Sequence, residues 1–516
     1  MKSTTKPVKQ SAQKQFPLFK IISLLLIAVI VTGIFSGCDD TVIATEAGTG
    51  VNQNNHSYTT TGATINIGYS DDDSLNPYFA KTDLNSDLAS LIFEPLFYID
   101  DSFSARPSLA SAYEIKENTL LVTLDTRAAF SDGVQFSSAD VVYSFSLAKA
   151  SGNYSDELSY ITSATAVGAD KVSFTLSEKN RNAAASLSFP VVKSQTASDA
   201  SAMPLGTGLY KIVQSGENIR LDYNPYCRKP HPEITTVKLQ RIPEASTLIH
   251  TLELGTIDAF FDDMSSGSYS QASAQTAKTN LSNLVFLGIN SNSYGLSSPA
   301  LRQAVYYSVN RNAVVKKAFR NYATESAVPY HPEWHEITSS GYDISALTLD
   351  YSKAQSLMQN AGFREALNYS LIVYSGNNFK IAAAKEIKES LANVNIHVNI
   401  RELTWQDYKE ALSAGNYDFY IGEIRLPSNM NMSALFGAGS AVKGTSVNDT
   451  TAAAYSEFAN GNISLEAFTA SFLQNMPFVP VCFRMGALIC RSSITPTPDC
   501  DDGNAYKNIY EWKLIK

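Results

Sequence analysis

A few short stretches place reactive residue types at suggestive spacings. Ser146 and Lys149, in SLAK, have the Ser-x-x-Lys spacing of acyl-transferring serine enzymes, and Lys443-Gly444-Thr445 holds the three residues of their KTG element in scrambled order. SLAK, however, closes a helical pattern where those enzymes open one. No Gly-x-Ser-x-Gly elbow, His–Asp–Ser set or motif-placed carboxylate pair accompanies it, so the chain is expected not to be an enzyme. His331 and His335, in HPEWH, have the i, i+4 spacing of a metal-binding helix, but Pro329 and Pro332 predict a loop there, and neither a metal nor a cofactor is expected. Cys227, Cys482, Cys490 and Cys500 form no CxxC pair and have no histidine at zinc spacing. Cys490 and Cys500 could bridge in an oxidising space or stand as buried thiols.

The elements that must position such groups alternate between strand and helix. TLLVTL (119–124) and KVSFTL (171–176) alternate at period two, as half-buried strands do. Between them, Asp132-Gly133 marks a turn, Ser137 and Asp140 form a capping pair, and Val141, Val142, Phe145 and Ala148 share one helical face. LNYSLIVYSG, FKIAAAKEIKESLA, NIHVNIREL, the segment Thr404 to Leu412 with Thr404 and Asp407 as its capping pair, and YDFYIG continue the alternation, with Gly415 ending the last helix. Strand–helix–strand runs of this length predict parallel sheets with right-handed crossovers. The fold class is therefore α/β, with ligands expected beyond the carboxyl ends of the strands.

The amino-terminal segment sets the compartment. Ile21–Phe35 is apolar except for Ser23, Thr32 and Gly33, short of the roughly 20 residues a spanning helix needs. Lys2, Lys6, Lys9, Lys14 and Lys20 precede it with no acid, the layout of a secretory signal. Phe35-Ser36-Gly37-Cys38 resembles the lipobox of bacterial lipoproteins, in which the cysteine is acylated and becomes the new N-terminus. Residues 1–37 are thus expected to be removed, Cys38 to be the lipidation site, and the protein to be held on the outer face of the cell membrane. Loss of five lysines takes the formal charge from −9 to −14, which excludes a nucleic-acid footprint. Residues 38–60 are small and polar and read as a flexible tether with a reach of ~25 Å. About 455 residues remain, enough for two or three lobes.

Taken in order, the segments resemble the bacterial extracellular solute-binding proteins of family 5, which serve ABC importers of peptides and nickel. SLNPYFAKTDLNSDLASLIFEPLFYID is similar to the family's opening, and FSDGVQFSSADVVYSF to its signature stretch. PLGTGLYKI follows its GTGPY turn with Leu209 in place of proline; LIHTLELGTIDAFF, LRQAVYYSVNRNAVV with Asn310 for the usual aspartate, YSKAQSLMQNAGF and MPFVPVCFRMG follow in register. Asn caps a helix about as well as Asp, so Asn310 is expected to keep the capping role, and Gly206 and Gly208 to be turn glycines.

The resemblance implies a two-lobed, three-domain periplasmic-binding-protein-like fold (type II) with the ligand cleft between lobes. Lobe I would comprise 61–96, 203–282 and 486–516, lobe II the inserted 97–202, and lobe III 283–485. NLVFLGIN (283–290) and FVPVCFRM (478–485) would be hinge strands. It implies a monomer that captures a peptide-like ligand by lobe closure and delivers it to ABC permease subunits with their ATPases. Solutes such as nickel chelates or oligosaccharides, and ligand sensing without transport, are the alternatives. Peptide binders of the family carry an amine-binding aspartate in a GWxAD stretch, absent here; Pro427 falls near its place, with Glu423 the nearest acid and Arg425 the nearest base. Trp405, in ELTWQDY, stands where those binders carry a cleft tryptophan. Asn85, Trp405, Glu423 and Arg425 are the candidate ligand-binding residues.

Overall fold

The computed structural model describes residues 62–267, 274–437, 440–445 and 447–515. The signal segment, Cys38 and the whole tether lie outside the described residues. No helix among the described residues is long and apolar enough to cross a membrane.

Two long strands, Gln275–Ile289 and Phe478–Cys490, pair antiparallel along most of their length. Both extend beyond the stretches expected from sequence, and their register shifts between Asn280 and Leu284 and again between Val285 and Phe286. Such bulges bend and twist a strand pair. Phe478–Cys490 is buried at nearly every position, because strands pair on both edges and helices cover the faces. Across the sheet the strands lie in the order Tyr210–Ser215, Asn218–Tyr223, Ile234–Arg241, Ala63–Tyr69, Ala259–Asp262, then the two long strands, then Phe419–Arg425, Leu367–Tyr374 and Ile396–Leu403. Ala63–Tyr69 is parallel to Ile234–Arg241 and Ala259–Asp262, and Leu367–Tyr374 is parallel to Ile396–Leu403 and Phe419–Arg425. Of these, the second set is the parallel arrangement that the strand–helix alternation predicts.

One crossover departs from the expectation. Thr119–Leu124 and Lys171–Leu176 are antiparallel neighbours in a separate four-stranded sheet. The helix Ser138–Ala150 leads first to a strand that sequence reading passed over, Ile161–Ala166, whose hairpin through Gly168 reverses the chain into Lys171–Leu176. The capping box at Ser137 and Asp140 is formed. Val141, Phe145 and Ala148 are buried, and Phe145 meets Phe174 edge-on with ring centroids 5.7 Å apart.

Family landmarks carry fold in specific ways. Arg302 donates to the carbonyls of Leu296, Ser297, Asn475 and Met476, and Arg311 to those of Ser326 and Pro480, pinning a helical segment to the long strand. Asn310 accepts from Ala313 N at 3.0 Å, as a cap. A Cβ on Gly206 would lie 2.0 Å from Ile92 O, so the turn can approach the end of helix Asp83–Ile92 only as glycine. One apolar core runs through the first half of the large sheet and the four-stranded sheet together; a second fills the other half around the long strands.

Candidate functional site

A cavity of about 880 Å³ opens off the carboxyl ends of Ala63–Tyr69, Ile234–Arg241, Ala259–Asp262 and Phe419–Arg425. Three parts of the chain meet there, and polar contacts join its walls. Arg425, at the end of its strand, pairs with Asp502 from the carboxyl-terminal segment at 2.7 Å. Glu157, in the segment between helix Ser138–Ala150 and Ile161–Ala166, accepts from Ser428 N at 2.9 Å, and Asn429 donates to Tyr160 Oη at 2.9 Å. Outside the lining, Arg181 pairs with Glu336 at 2.8 Å.

Acids dominate the lining. Helix Asp83–Ile92 starts where Thr82 caps it, and the Asp73 carboxylate fixes that cap by accepting from Lys81 N, Thr82 N and Thr82 Oγ1. Leu88, Leu91 and Ile92 face the core, which turns Asp83 and Asp87, one turn apart, toward the cavity. Asp262 ends its strand, Asp263 follows it, and the two brace the next turn, accepting from Met264 N and Ser265 N at 2.8 Å each. Burial pushes the carboxyls of Asp83 and Asp262 up, and pushes Asp87 well up; Asp83, Asp263 and Asp502 add repulsion at Asp87 that Arg425 only partly offsets. Burial raises Glu157 to about 7 against the hydrogen bond from Ser428.

The residues singled out from sequence fall in different places. Arg425 lines the cavity. Glu423 does not: its Oε1 accepts from Arg484 Nε at 2.6 Å and Asn283 Nδ2 at 2.9 Å, and its Oε2 pairs with Lys380 Nζ at 2.8 Å. Burial raises its carboxyl, but Arg484 and Lys380 outweigh that and hold it at about 2. Arg484 also reaches Asp263, with its Nη2 3.6 Å from Oδ2. Asn85 is buried as a brace, accepting from Ser70 N and donating to the carbonyls of Ser70 and Ser74. Trp405 stands 54% exposed at the carboxyl end of Ile396–Leu403, outside the cavity lining, stacked on Tyr408 at 5.8 Å and 15°.

The other candidate chemistries meet different geometry. Ser146 Oγ donates to Tyr143 O, and Lys149 Nζ to the carbonyls of Leu158 and Ser159, so each is engaged by backbone rather than by the other. His331 is buried between the rings of Phe103 and Phe483, where burial lowers it to about 3 and keeps it neutral. Residues 331–334 form loop and turn, as the prolines predict, and His335 opens the short helix His335–Ser340 that follows, so the two histidines do not share a helix. Cys227, Cys482, Cys490 and Cys500 are free thiols. Asp83, Asp87, Glu157, Asp262, Asp263 and Asp502 had no motif to mark them; the only trace was the i, i+4 spacing of Asp83 and Asp87, which reads equally well as a solvated face.

Comparison with known proteins places this geometry. The family model described as bacterial extracellular solute-binding proteins, family 5 Middle, matches residues 104–442. The oligopeptide-binding protein AppA of Bacillus subtilis is 21% identical over 382 residues, covering 67% of this chain and 69% of the relative. The glutathione-binding protein GsiB of Escherichia coli K12 is 22% identical over 352 residues, covering 63% and 66%. The chain thus spans about two thirds of the length of these curated relatives. Among solved structures, the ABC transporter substrate-binding protein CtaP of Listeria monocytogenes superposes with a TM-score of 0.70 at 16% identity, covering 88% of this chain and all of that one. NikA of Brucella suis, in complex with Fe(III)-EDTA, gives 0.64 at 15% identity, again covering 88% and 100%. With its long paired strands, its two sheet halves and its cavity at the strand ends, this chain belongs to the bacterial extracellular solute-binding proteins of family 5.

Proposed function

We propose that the protein is the membrane-anchored, extracellular solute-binding lipoprotein of an ABC importer. It captures a peptide-like ligand by closing lobes I and II against lobe III and delivers it to the permease subunits and their ATPases. The observation that carries this reading is the cavity of about 880 Å³ at the strand carboxyl ends, joined across its walls by Arg425–Asp502 and Glu157–Ser428. Its volume falls within the ~300–1,000 Å³ range of small-molecule sites. The oligopeptide- and glutathione-binding relatives support a peptide-like ligand. The acidic lining also favours a peptide ammonium over a carboxylate-built metal chelate, which would bring charge of the same sign.

Closure is a population shift: ligand stabilises the closed state by its difference in affinity for the two states. Small-angle scattering should therefore give a smaller radius of gyration with ligand than without. The melting temperature should rise as well, by the equivalent of ~2.7 kcal/mol at 100-fold excess over Kd. An unchanged scattering envelope under saturating ligand would overturn lobe closure, and a ligand recovered hydrolysed would overturn pure binding.

A further inference from the structure

The charge of the cavity carries the solute-capture reading, on which this inference rests, one step further. Six carboxylates and two cations, Lys81 and Arg425, line it. Arg425 is already engaged by Asp502. The carboxylates of Asp83 and Asp87 accept no hydrogen bond and form no ion pair among the described residues. Glu157, also in the lining, has its Oε1 shielded from solvent with no hydrogen-bond partner. Asp83 is exposed to the cavity and Asp87 half-buried beside it, so their charge is left uncompensated by the fold, and a binding site is where a ligand supplies the counter-charge. The charge is spread, not focused: among the described residues no three His, Cys, Asp or Glu groups converge to hold a metal ion. Asp83 and Asp87 lie about 6 Å apart on one helix face, while Glu157 comes from another part of the chain.

We infer that the ligand carries two or more cationic groups, ammonium or guanidinium, seated against Asp83 and Asp87 and against Glu157 in the same cleft. An oligopeptide with basic side chains and a free polyamine share this chemistry.

The test is calorimetric titration of the purified full-length chain with Lys-Lys-Lys, Ala-Ala-Ala, Glu-Glu-Glu and spermidine. Trilysine should bind at least roughly tenfold tighter than trialanine, and triglutamate weakest of all, with the gap narrowing at high salt. Asp83→Asn with Asp87→Asn should weaken trilysine roughly tenfold and leave trialanine within about twofold, while Glu233→Gln, on the exposed surface, should change neither. Should the double variant fail to fold, Asp83→Asn alone carries the comparison, because its side chain opens onto the cavity. Equal binding of trialanine and trilysine, unaltered in the variants, overturns the charge inference and leaves peptide capture standing. Spermidine binding without binding of any peptide supports the charge inference and overturns the peptide reading. Absence of binding by all four probes overturns the inference.

Discussion

Glu423 and Arg425 sit two residues apart on one strand, yet their surroundings separate them. Arg425, at the strand end, reaches the cavity and Asp502. Glu423 is enclosed by Arg484, Lys380 and Asn283, and both its oxygens are taken. Removing one member of a buried charge network leaves the others unpaired, which typically costs ~3–5 kcal/mol. Glu423→Gln should therefore lower stability by about that much in urea unfolding, and should weaken free and N-acetylated peptides alike. Selective loss of free peptides would restore Glu423 as an amine site. The pH dependence has a definite sign. A carboxyl held at about 2 in the fold and 4.5 outside it contributes stability above the ordinary carboxylate range, and that stability is lost as pH falls from about 4.5 toward 2. The acid limb of the wild-type stability curve should be steeper than that of Glu423→Gln.

The helix Ser138–Ala150 is an element whose start is over-determined. Ser137 N and Ser137 Oγ bond Asp140 Oδ2 at 3.0 and 2.9 Å, closing the cap. Asp140 Oδ1 accepts in addition from Ser194 N and Ser194 Oγ, so the same side chain ties the helix to a loop over fifty residues downstream. Ser137→Ala should cost about 0.5–2 kcal/mol, the usual price of a lost cap. Asp140→Ala should cost distinctly more, because Ser194 is orphaned as well; equal losses would show the Ser194 link to be dispensable. The cap and helix were legible in the sequence, since both are written within a few residues. The strand Ile161–Ala166 was not: ITSATA alternates weakly, with exposed positions through most of its length, and it is recognisable only by its pairing with Lys171–Leu176.

At the scale of the molecule, the first half of the large sheet shares one apolar core with the four-stranded sheet, whereas the second half packs around the long strands in another, which reaches Ile99, Phe103, Ala185 and Phe260 at its edge. Packed interiors resist deformation, so the proposed closure would move lobe III against lobes I and II together, bending at the bulged strands Gln275–Ile289 and Phe478–Cys490. Hinge motion of this kind needs only a few residues to absorb the change. The proposed anchor should be separable from binding. Cys38→Ala should release the protein into the medium or leave it uncleaved, with ligand affinity unchanged. Mass spectrometry finding Lys2 or Lys20 in the mature N-terminus would overturn the processing.

The ordered landmarks carried the resemblance to the family; local chemistry was enough to determine the α/β class, the strands and helices of clear periodicity, and the caps at Ser137, Thr404 and Asn310. Each of these rests on periodicity or on contacts within a few residues, which a linear sequence displays directly. The cleft was decided by the tertiary structure. Asp83, Glu157, Asp263, Arg425 and Asp502 are separated by up to hundreds of residues and meet only because the two long strands bring both sheet halves to one carboxyl edge. Whether an acid is a ligand group or a structural one depends on which cations the fold places beside it. Arg484 and Lys380 enclose Glu423, while Asp83 and Asp87 are left facing an open cavity, and no pattern in the neighbouring residues distinguishes the two cases.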